Sequence, residues 1–257
     1  MNEAYGSFAY VYDKFMDNVP YKEWTDYILM LLKEAGVNDG IVADLGCGTG
    51  AVTELLALAG FDMIGIDSSE DMLQVAMERK DALTAKSPDI KDILYLNQDM
   101  RKFELYGTVA AIVSICDSMN YILEDDELLT VFKLVWNYLD YNGIFIFDMN
   151  TPYKYRELLG DNTFAENRED SSFIWENFYD EESEVNEYDL TLFIEEEDGR
   201  FSRYEEVHEQ RAYDIDAVFK MLTEAGLEVL HVYDAFTHDA PREDSERVYF
   251  VARKPGI

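Results

Sequence analysis

The stretch V-A-D-L-G-C-G-T-G, Val42 to Gly50, decides the fold of this chain. An apolar run from Ile41 to Ala43 leads through Asp44 into three glycines at alternate positions, and an apolar helical pattern, Ala51, Val52, Leu55, Leu56 and Leu58, follows at once. The reading is strand, tight turn, helix. Glycine at Gly46, Gly48 and Gly50 lets the backbone turn sharply and removes Cβ atoms that would keep a ligand off the main chain. A second strand, Asp62 to Ile66, carries Asp67 at its carboxyl end, about 20 residues past the glycines, where a carboxylate accepts hydrogen bonds from ribose hydroxyls. Ser68-Ser69-Glu70-Asp71 then opens a helix with capping residues, and Met72 falls in its first turn. A nucleoside-bearing cofactor is expected on this turn.

Two cofactor classes use such a turn, and charge separates them. Gly46, Gly48 and Ala51 satisfy a relaxed dinucleotide fingerprint. A dinucleotide, however, lays a pyrophosphate over the turn, beside Asp44, in a chain with 54 acidic and 21 basic residues. S-adenosylmethionine has no phosphate; it offers an ammonium and a sulfonium, which an acidic neighbour attracts. A third strand, Ile93 to Leu96, ends in Asn97-Gln98-Asp99-Met100, so that Asp99 meets an adenine amino group and Met100 covers the ring.

Through D-L-G-C-G-T-G, G-I-D-S-S and N-Q-D-M in that order, the sequence resembles the class I S-adenosylmethionine-dependent methyltransferases. The resemblance covers most of the chain outside residues 151–210. More narrowly, Y-G-S-F-A-Y-V-Y-D-K-F-M near the start and C-D-S-M-N-Y-I later are similar to bacterial methyltransferases of the YqeM type. The resemblance implies an α/β, doubly wound, Rossmann-like sheet of order 3-2-1-4-5-7-6 with strand 7 antiparallel. It also implies that Gly46 and Gly48 approach the methionine portion, that Asp67 holds the ribose, and that the leading aromatic segment folds over the cofactor.

That segment repeats Tyr5, Phe8, Tyr12 and Phe15 at helical spacing, with Tyr12 the candidate for cation–π contact with the sulfonium. A second amphipathic helix is expected from about Lys22 to Ala35. Val109 to Ile115 reads as a fourth, fully buried strand, because its apolar run has no alternation. The loop that follows, Cys116-Asp117-Ser118-Met119-Asn120-Tyr121, therefore faces the crevice where open α/β sheets bind ligands. Cys116 is a candidate cofactor contact, and Asp117 a candidate catalytic residue. A helix from about Asp126 to Leu139 and a fifth strand, Gly143 to Phe147, complete the regular part.

Residues 151–210 interrupt the pattern. Tyr188, Leu190, Leu192 and Ile194 alternate with polar residues, Asp198-Gly199 is a two-residue hairpin signal, and Phe201 to Val207 supplies a return strand. With Phe173 to Tyr179 as a third strand, the expectation is an antiparallel β insertion that lids the acceptor pocket. Phe173, Trp175, Tyr179 and Tyr188 are candidates for its wall. His208, where the insertion rejoins the core, is the second candidate catalytic residue. The organisation is then a helical cofactor cap (1–35), an α/β core (36–150 and 211–257) and the inserted lid (151–210). The chain closes through a helix, Asp214 to Ala225, and a hairpin, Leu227 to Tyr233 with Arg247 to Ala252.

Composition bounds the partners. A formal charge of −33 repels phosphate backbones and anionic membranes, so no nucleic acid and no membrane partner is expected. No apolar run approaches the ~20 residues of a span, which gives a cytoplasmic reading. Two cysteines, Cys47 and Cys116, offer neither metal spacing nor a disulfide framework. From Asp161 to Gln210, 18 acidic and 3 basic residues give 3 − 18 = −15, which suits a small-molecule acceptor, neutral or cationic. The oligomeric state is not encoded here. Rival readings are an NAD-dependent oxidoreductase, which leaves Asp44 and Asp99-Met100 without a role, and a non-catalytic S-adenosylmethionine-binding regulator.

Overall fold

A computed structural model describes residues 20–196 and 198–256. The leading aromatic segment, with Tyr5, Phe8, Tyr12 and Phe15, lies outside the described residues. Helix α1 (Tyr21–Glu34) precedes the first strand, β1 (Ile41–Leu45), and α2 (Ala51–Leu58) follows it. The alternation continues through β2 (Asp62–Asp67), α3 (Glu70–Lys86), β3 (Ile93–Asn97), β4 (Val109–Ser114), α4 (Asp125–Tyr138) and β5 (Leu139–Asn150). After an inserted segment, α5 (Ile215–Glu224) leads to the terminal pair of strands.

The main sheet has seven strands. With the inserted strands numbered β6 to β9 and the terminal pair β10 (Glu228–Asp234) and β11 (Arg247–Arg253), its order is β3-β2-β1-β4-β5-β11-β10. Neighbours from β3 to β5 are parallel, and β11 runs antiparallel to both β5 and β10. This is the order 3-2-1-4-5-7-6 expected by resemblance.

The sheet is sandwiched because its central strands are apolar on both faces. Ala43, Leu45, Ile112, Phe145 and Phe147 point to one side, where they pack with Leu128, Val131, Phe132 and Val135 of α4 and Val218 and Leu222 of α5. Val42, Ala111, Val113, Ile144 and Ile146 point to the other, against Ile28, Leu31 and Leu32 of α1 and Val52 and Leu56 of α2. Period-two alternation along each strand sends consecutive residues to opposite faces, so an uninterrupted apolar run feeds two cores at once.

Between β5 and α5 the chain forms a second, four-stranded antiparallel sheet: β6 (Thr163–Asn167), β7 (Ser171–Asp180), β8 (Val185–Glu195) and β9 (Phe201–Arg211). Three of these follow the sequence expectation. The fourth, β6, is an addition; it is an exposed edge strand with Phe164 as its large apolar residue, so periodicity gave no signal. The turn after β8 also differs. Glu195 pairs with Phe201, and the Glu196 N–H donates to the Arg200 carbonyl at 2.7 Å. Gly199 supplies the left-handed residue (φ 79°) of a longer connection rather than half of a two-residue turn. β5 exceeds its expected span at both ends: β11 pairs with it as far as Asn150, and Leu139 at its start pairs with Val109 of β4.

The glycine turn packs tightly on its neighbours. A Cβ at Gly65, in the middle of β2, would sit 2.5 Å from Cδ1 of Tyr95, whose ring fills the space between β2 and the turn. Gly65→Ala is therefore expected to lower stability by about 1–3 kcal/mol through overpacking, measured by urea denaturation, and Gly65→Ala combined with Tyr95→Leu should recover part of that loss.

Candidate active site

The carboxyl ends of β1, β2, β3 and β4 converge on one cavity of about 880 Å³. Its floor is the glycine turn. The Gly46 and Cys47 N–H groups both donate to the Ile66 carbonyl, at 2.8 and 3.1 Å, which fixes the turn to the end of β2. Gly46 adopts φ 73°, and a Cβ there would meet Ser118 at 2.7 Å, so the β4 loop closes directly on this residue. Gly48 (φ 53°) is different: a Cβ there would meet nothing within 4 Å, leaving its backbone open towards the cavity.

Asp67 clamps the turn. One carboxylate oxygen accepts the Gly48 N–H at 2.8 Å and the other the Ser69 N–H at 2.9 Å. Each oxygen retains capacity for a further donor, and the residue lines the cavity. Burial raises its pKa, opposed by those N–H donors. Ser69, rather than Ser68, caps α3, accepting the Met72 N–H at 3.3 Å. Ser68 and Met72 both line the cavity.

Asp44 lies deeper than its position beside the turn suggests. It is almost fully buried, and the Thr53 hydroxyl donates to it at 2.6 Å. Burial, with the charge of Asp67 adding, pushes its carboxyl up to about 7 despite that bond. The simple picture of a fixed carboxylate beside the turn thus becomes one of a titrating group at the cavity floor. Asp99 accepts hydrogen bonds from the Arg101 N–H at 2.9 Å and from its guanidinium at 2.7 Å, which hold its carboxyl below the usual range. Arg101 is in turn held by Glu127. Asp99 and Met100 line the cavity on the side of β3.

At the tip of β4, Cys116 (φ 64°) and Asp117 (φ 53°) are consecutive left-handed residues. This uncommon backbone turns Asp117 inward. One carboxylate oxygen accepts from Arg247 Nη2 at 2.6 Å and the other from Gln210 Nε2 at 2.6 Å. Arg247 also donates to the buried Asp148, and its guanidinium lies 5.1 Å from the centre of the Trp24 ring. Asp117 thereby links the β4 loop to β11 and β9, each of its oxygens accepting one of these bonds, and it lines the cavity. Cys47 and Cys116 are free, and burial raises both thiols well above their ordinary range, which removes thiolate chemistry.

The far wall is the inner face of the β6–β9 sheet. Phe173, Trp175, Tyr188, Leu190 and Leu192 line it, with Glu206, His208 and Gln210 on β9. His208 stacks on Tyr188 with ring centres 4.8 Å apart, and its Nδ1 lies 3.3 Å from the Tyr121 hydroxyl. Tyr179 does not reach this wall; it stacks on Tyr155 instead. Sequence reasoning missed Glu206, Gln210, Tyr121 and Arg247. Glu206 and Gln210 share the alternate-residue face of His208, a signal that was present; Arg247 had none, because its partners are 99 and 130 residues away.

The floor suits S-adenosylmethionine. A pyrophosphate would meet Asp44 and Asp67, whereas an ammonium and a sulfonium are welcomed by them. A methyltransferase-domain family model matches residues 42–143. YqeM of Bacillus subtilis (strain 168), named as a methyltransferase, is 36% identical over 251 residues, 97% of each chain. The chain belongs to the S-adenosylmethionine-dependent methyltransferases. A solved S-adenosylmethionine-dependent methyltransferase from Clostridium acetobutylicum ATCC 824 superposes with TM-score 0.86 at 30% identity, covering 98% of this chain and 99% of that one. The sugar N-methyltransferase KedS8 from Streptoalloteichus sp ATCC 53650 shares the fold at TM-score 0.76 and 18% identity, covering 95% of this chain and 93% of that one.

Two outcomes follow from the charges. Because the cationic cofactor favours ionised Asp44, its binding lowers a carboxyl pKa that stands near 7 in the free protein. Affinity for S-adenosylmethionine is therefore expected to rise between pH 6 and pH 8, by less than tenfold per unit, and calorimetry of Asp44→Asn should lose that slope. Arg247→Met strands Asp117 and Asp148 without their shared cation and should destabilise the fold by about 3–5 kcal/mol in urea denaturation.

Proposed function

We propose that this chain methylates a small-molecule acceptor, neutral or cationic, which enters the cavity between the glycine turn and the β6–β9 sheet. One observation carries the reading: a single cavity joins a cofactor floor, lined by Gly48, Asp67, Asp99 and Met100, to an aromatic wall, lined by Phe173, Trp175 and Tyr188. Its volume of about 880 Å³ falls in the range of small-molecule sites and leaves room beyond a nucleoside cofactor. The shared fold of KedS8, a sugar N-methyltransferase, is consistent with such an acceptor.

When bound, S-adenosylmethionine supplies a methyl carbon activated by positively charged sulfur. The protein's residues supply position. Asp67 would hold the ribose with the lone pairs left after Gly48 and Ser69 are served, and Asp99, steadied by Arg101, would meet the adenine amino group. Met100 and Met72 would frame the base, Ser68 and Cys116 would border the nucleoside, and Asp44 would attract the ammonium through the turn. Tyr12 keeps its proposed cation–π role from the sequence. Asp117 orients the β4 loop that closes on Gly46. Alignment of acceptor and methyl group alone can supply several kcal/mol, so this chemistry needs no elaborate acid–base apparatus unless the acceptor arrives protonated.

Nucleic acid is excluded from the proposal by charge. Of the described carboxylates between Asp161 and Gln210, nearly all face water, so the insertion presents a strongly negative exterior to any phosphate backbone. No helix among the described residues is long and apolar enough to cross a membrane. Free Cys47 and Cys116 suit a reducing compartment, and we assign the reaction to the cytoplasm.

Methyl-tritiated S-adenosylmethionine tests the reading. A defined pool of small amines, alcohols and carboxylic acids should acquire label, while tRNA, rRNA and DNA should stay unlabelled; stoichiometric labelling of any nucleic acid overturns the proposal. Asp67→Ala should weaken cofactor binding at least tenfold by calorimetry, since it removes charge-assisted hydrogen bonds of roughly 1.5–3 kcal/mol each. Unchanged affinity in the folded variant would move the ribose elsewhere. Tight cofactor binding with no transfer to any pool would favour the regulator reading.

A further inference from the structure

Strand β9 is inside out. Along Phe201–Arg211 the inward positions are Tyr204, Glu206, His208 and Gln210, while Val207 points outward and is largely exposed. A strand that half-buries one face ordinarily sends its valine in and its glutamate out. Reversal costs solvation of the carboxylate and leaves an apolar side chain in water. In the insertion's otherwise solvated set of acids, Glu206 is the buried carboxylate among the described residues, its side chain only 3% exposed.

Its hydrogen bonds are half complete. Oε2 lies 3.1 Å from His208 Nε2, and Oε1 has no partner. A buried carboxylate oxygen without a donor is costly, and such groups are retained where a ligand completes them. The surroundings specify that ligand's charge. Leu190 stands directly opposite Glu206 on β8, and Trp175 stands opposite Leu190 on β7, so the three form one row across the sheet. Tyr188 stands opposite His208 in the next row. Aromatic faces beside an unmet carboxylate oxygen select a cation, by cation–π attraction and ion pairing together.

The same row holds a complementary donor. The Trp175 indole N–H is buried and also lacks an acceptor. With strands about 4.8 Å apart, Trp175 and Glu206 are separated by roughly 10 Å of backbone, a span that one small molecule bridges with a nitrogen at one end and an oxygen at the other.

We propose, resting on the small-molecule reading above, that the acceptor is an aliphatic amine that also carries a hydroxyl or ether oxygen, anchored as its ammonium on Glu206 Oε1 with its oxygen on the Trp175 indole. Glu206 takes one proton from the ammonium, leaving a neutral amine. The nitrogen lone pair then forms the N–C bond as the C–S bond breaks with its electron pair remaining on sulfur, giving a methylated ammonium and S-adenosylhomocysteine. The proton held on Glu206 Oε1 is given to water as products leave, while His208 Nε2, 3.1 Å from the other oxygen, donates to it throughout. Glu206 is thus a catalytic residue, and His208 a positioning residue that holds its other oxygen.

A defined pool tests this: amino sugars and amino alcohols, each paired with the compound bearing hydroxyl in place of the amine, incubated with the full chain and methyl-tritiated S-adenosylmethionine. Mass spectrometry should find N-methyl products from the amines and none from their hydroxyl partners. In Glu206→Gln, kcat/KM on the labelled amine should fall at least 100-fold while the Kd for S-adenosylmethionine stays within twofold. Calorimetric affinity for that amine in the presence of S-adenosylhomocysteine should fall at least tenfold. Should Glu206→Gln not fold, Trp175→Phe should raise the KM for amino alcohols at least fivefold without a matching change for amines lacking the oxygen. O-methyl products, or a folded Glu206→Gln with unchanged kcat/KM, overturn the amine assignment and leave the small-molecule reading standing. Absence of transfer to every compound by a protein that binds the cofactor overturns both.

Discussion

Arg247 is the contact on which the site depends. Its guanidinium donates to Asp117 at the tip of β4 and to Asp148 within β5, while it stacks near Trp24 of α1. Gln210 of β9 reaches the same Asp117. One cation therefore ties together two parallel strands, the antiparallel strand that carries it, a covering helix and the inserted sheet. The cost of burying three ionised groups is large, and only their mutual pairing and the extra hydrogen bond from Gln210 offset it. Such an arrangement adds little to stability compared with apolar packing. What it gives is geometry: the left-handed pair Cys116-Asp117 is held in a conformation that an L residue rarely adopts.

That geometry propagates to both halves of the cavity. The loop after Asp117 closes on Gly46 through Ser118, which sets the cofactor floor. Further along, Asn120 is buried between the two sheets, donating to the carbonyls of Asn150 and Arg211 and accepting the Asn150 N–H at 3.0 Å. It thereby fixes where β9 leaves the insertion relative to the end of β5. The positions of Glu206 and His208 above the floor follow from this stitch, because a strand's inward residues move with its ends. The floor and the far wall of the cavity are consequently joined through Asp117, Asn120 and Gln210.

The two halves use charge differently. On the floor, Asp44 and Asp67 form a carboxyl pair whose burial makes ionisation costly, a cost that a cation bound there would relieve. On the wall, a single carboxylate sits among aromatic rings. The bulk of the negative charge on the insertion faces water and acts at long range, where salt screens it. Proximity outweighs number: one buried acid acts on a charge beside it far more strongly than a solvated acid acts at long range.

The core and the glycine-turn edge of the sheet are legible from local pattern along the chain. The turn, Asp67, Asp99 and Met100 lie within about 60 residues of chain, each at the end of a strand recognisable from its apolar run, so local pattern is enough to bring them to one edge of the sheet. The antiparallel insertion was legible from the alternation in β7, β8 and β9, but not its edge strand β6, which buries little, nor the true length of the loop at Gly199. The far wall of the cavity follows from tertiary structure alone. Asp117 stands at a strand end in the sequence, and only the fold brings Arg247 and Gln210, 130 and 93 residues away, onto its carboxylate. Glu206 and Val207 are adjacent, and hydrophobic patterning would turn the valine inward; the β8–β9 register instead turns Glu206 to the cavity. Register is a property of paired strands, fixed by partners far along the chain, and a one-residue difference exchanges every inward and outward side chain.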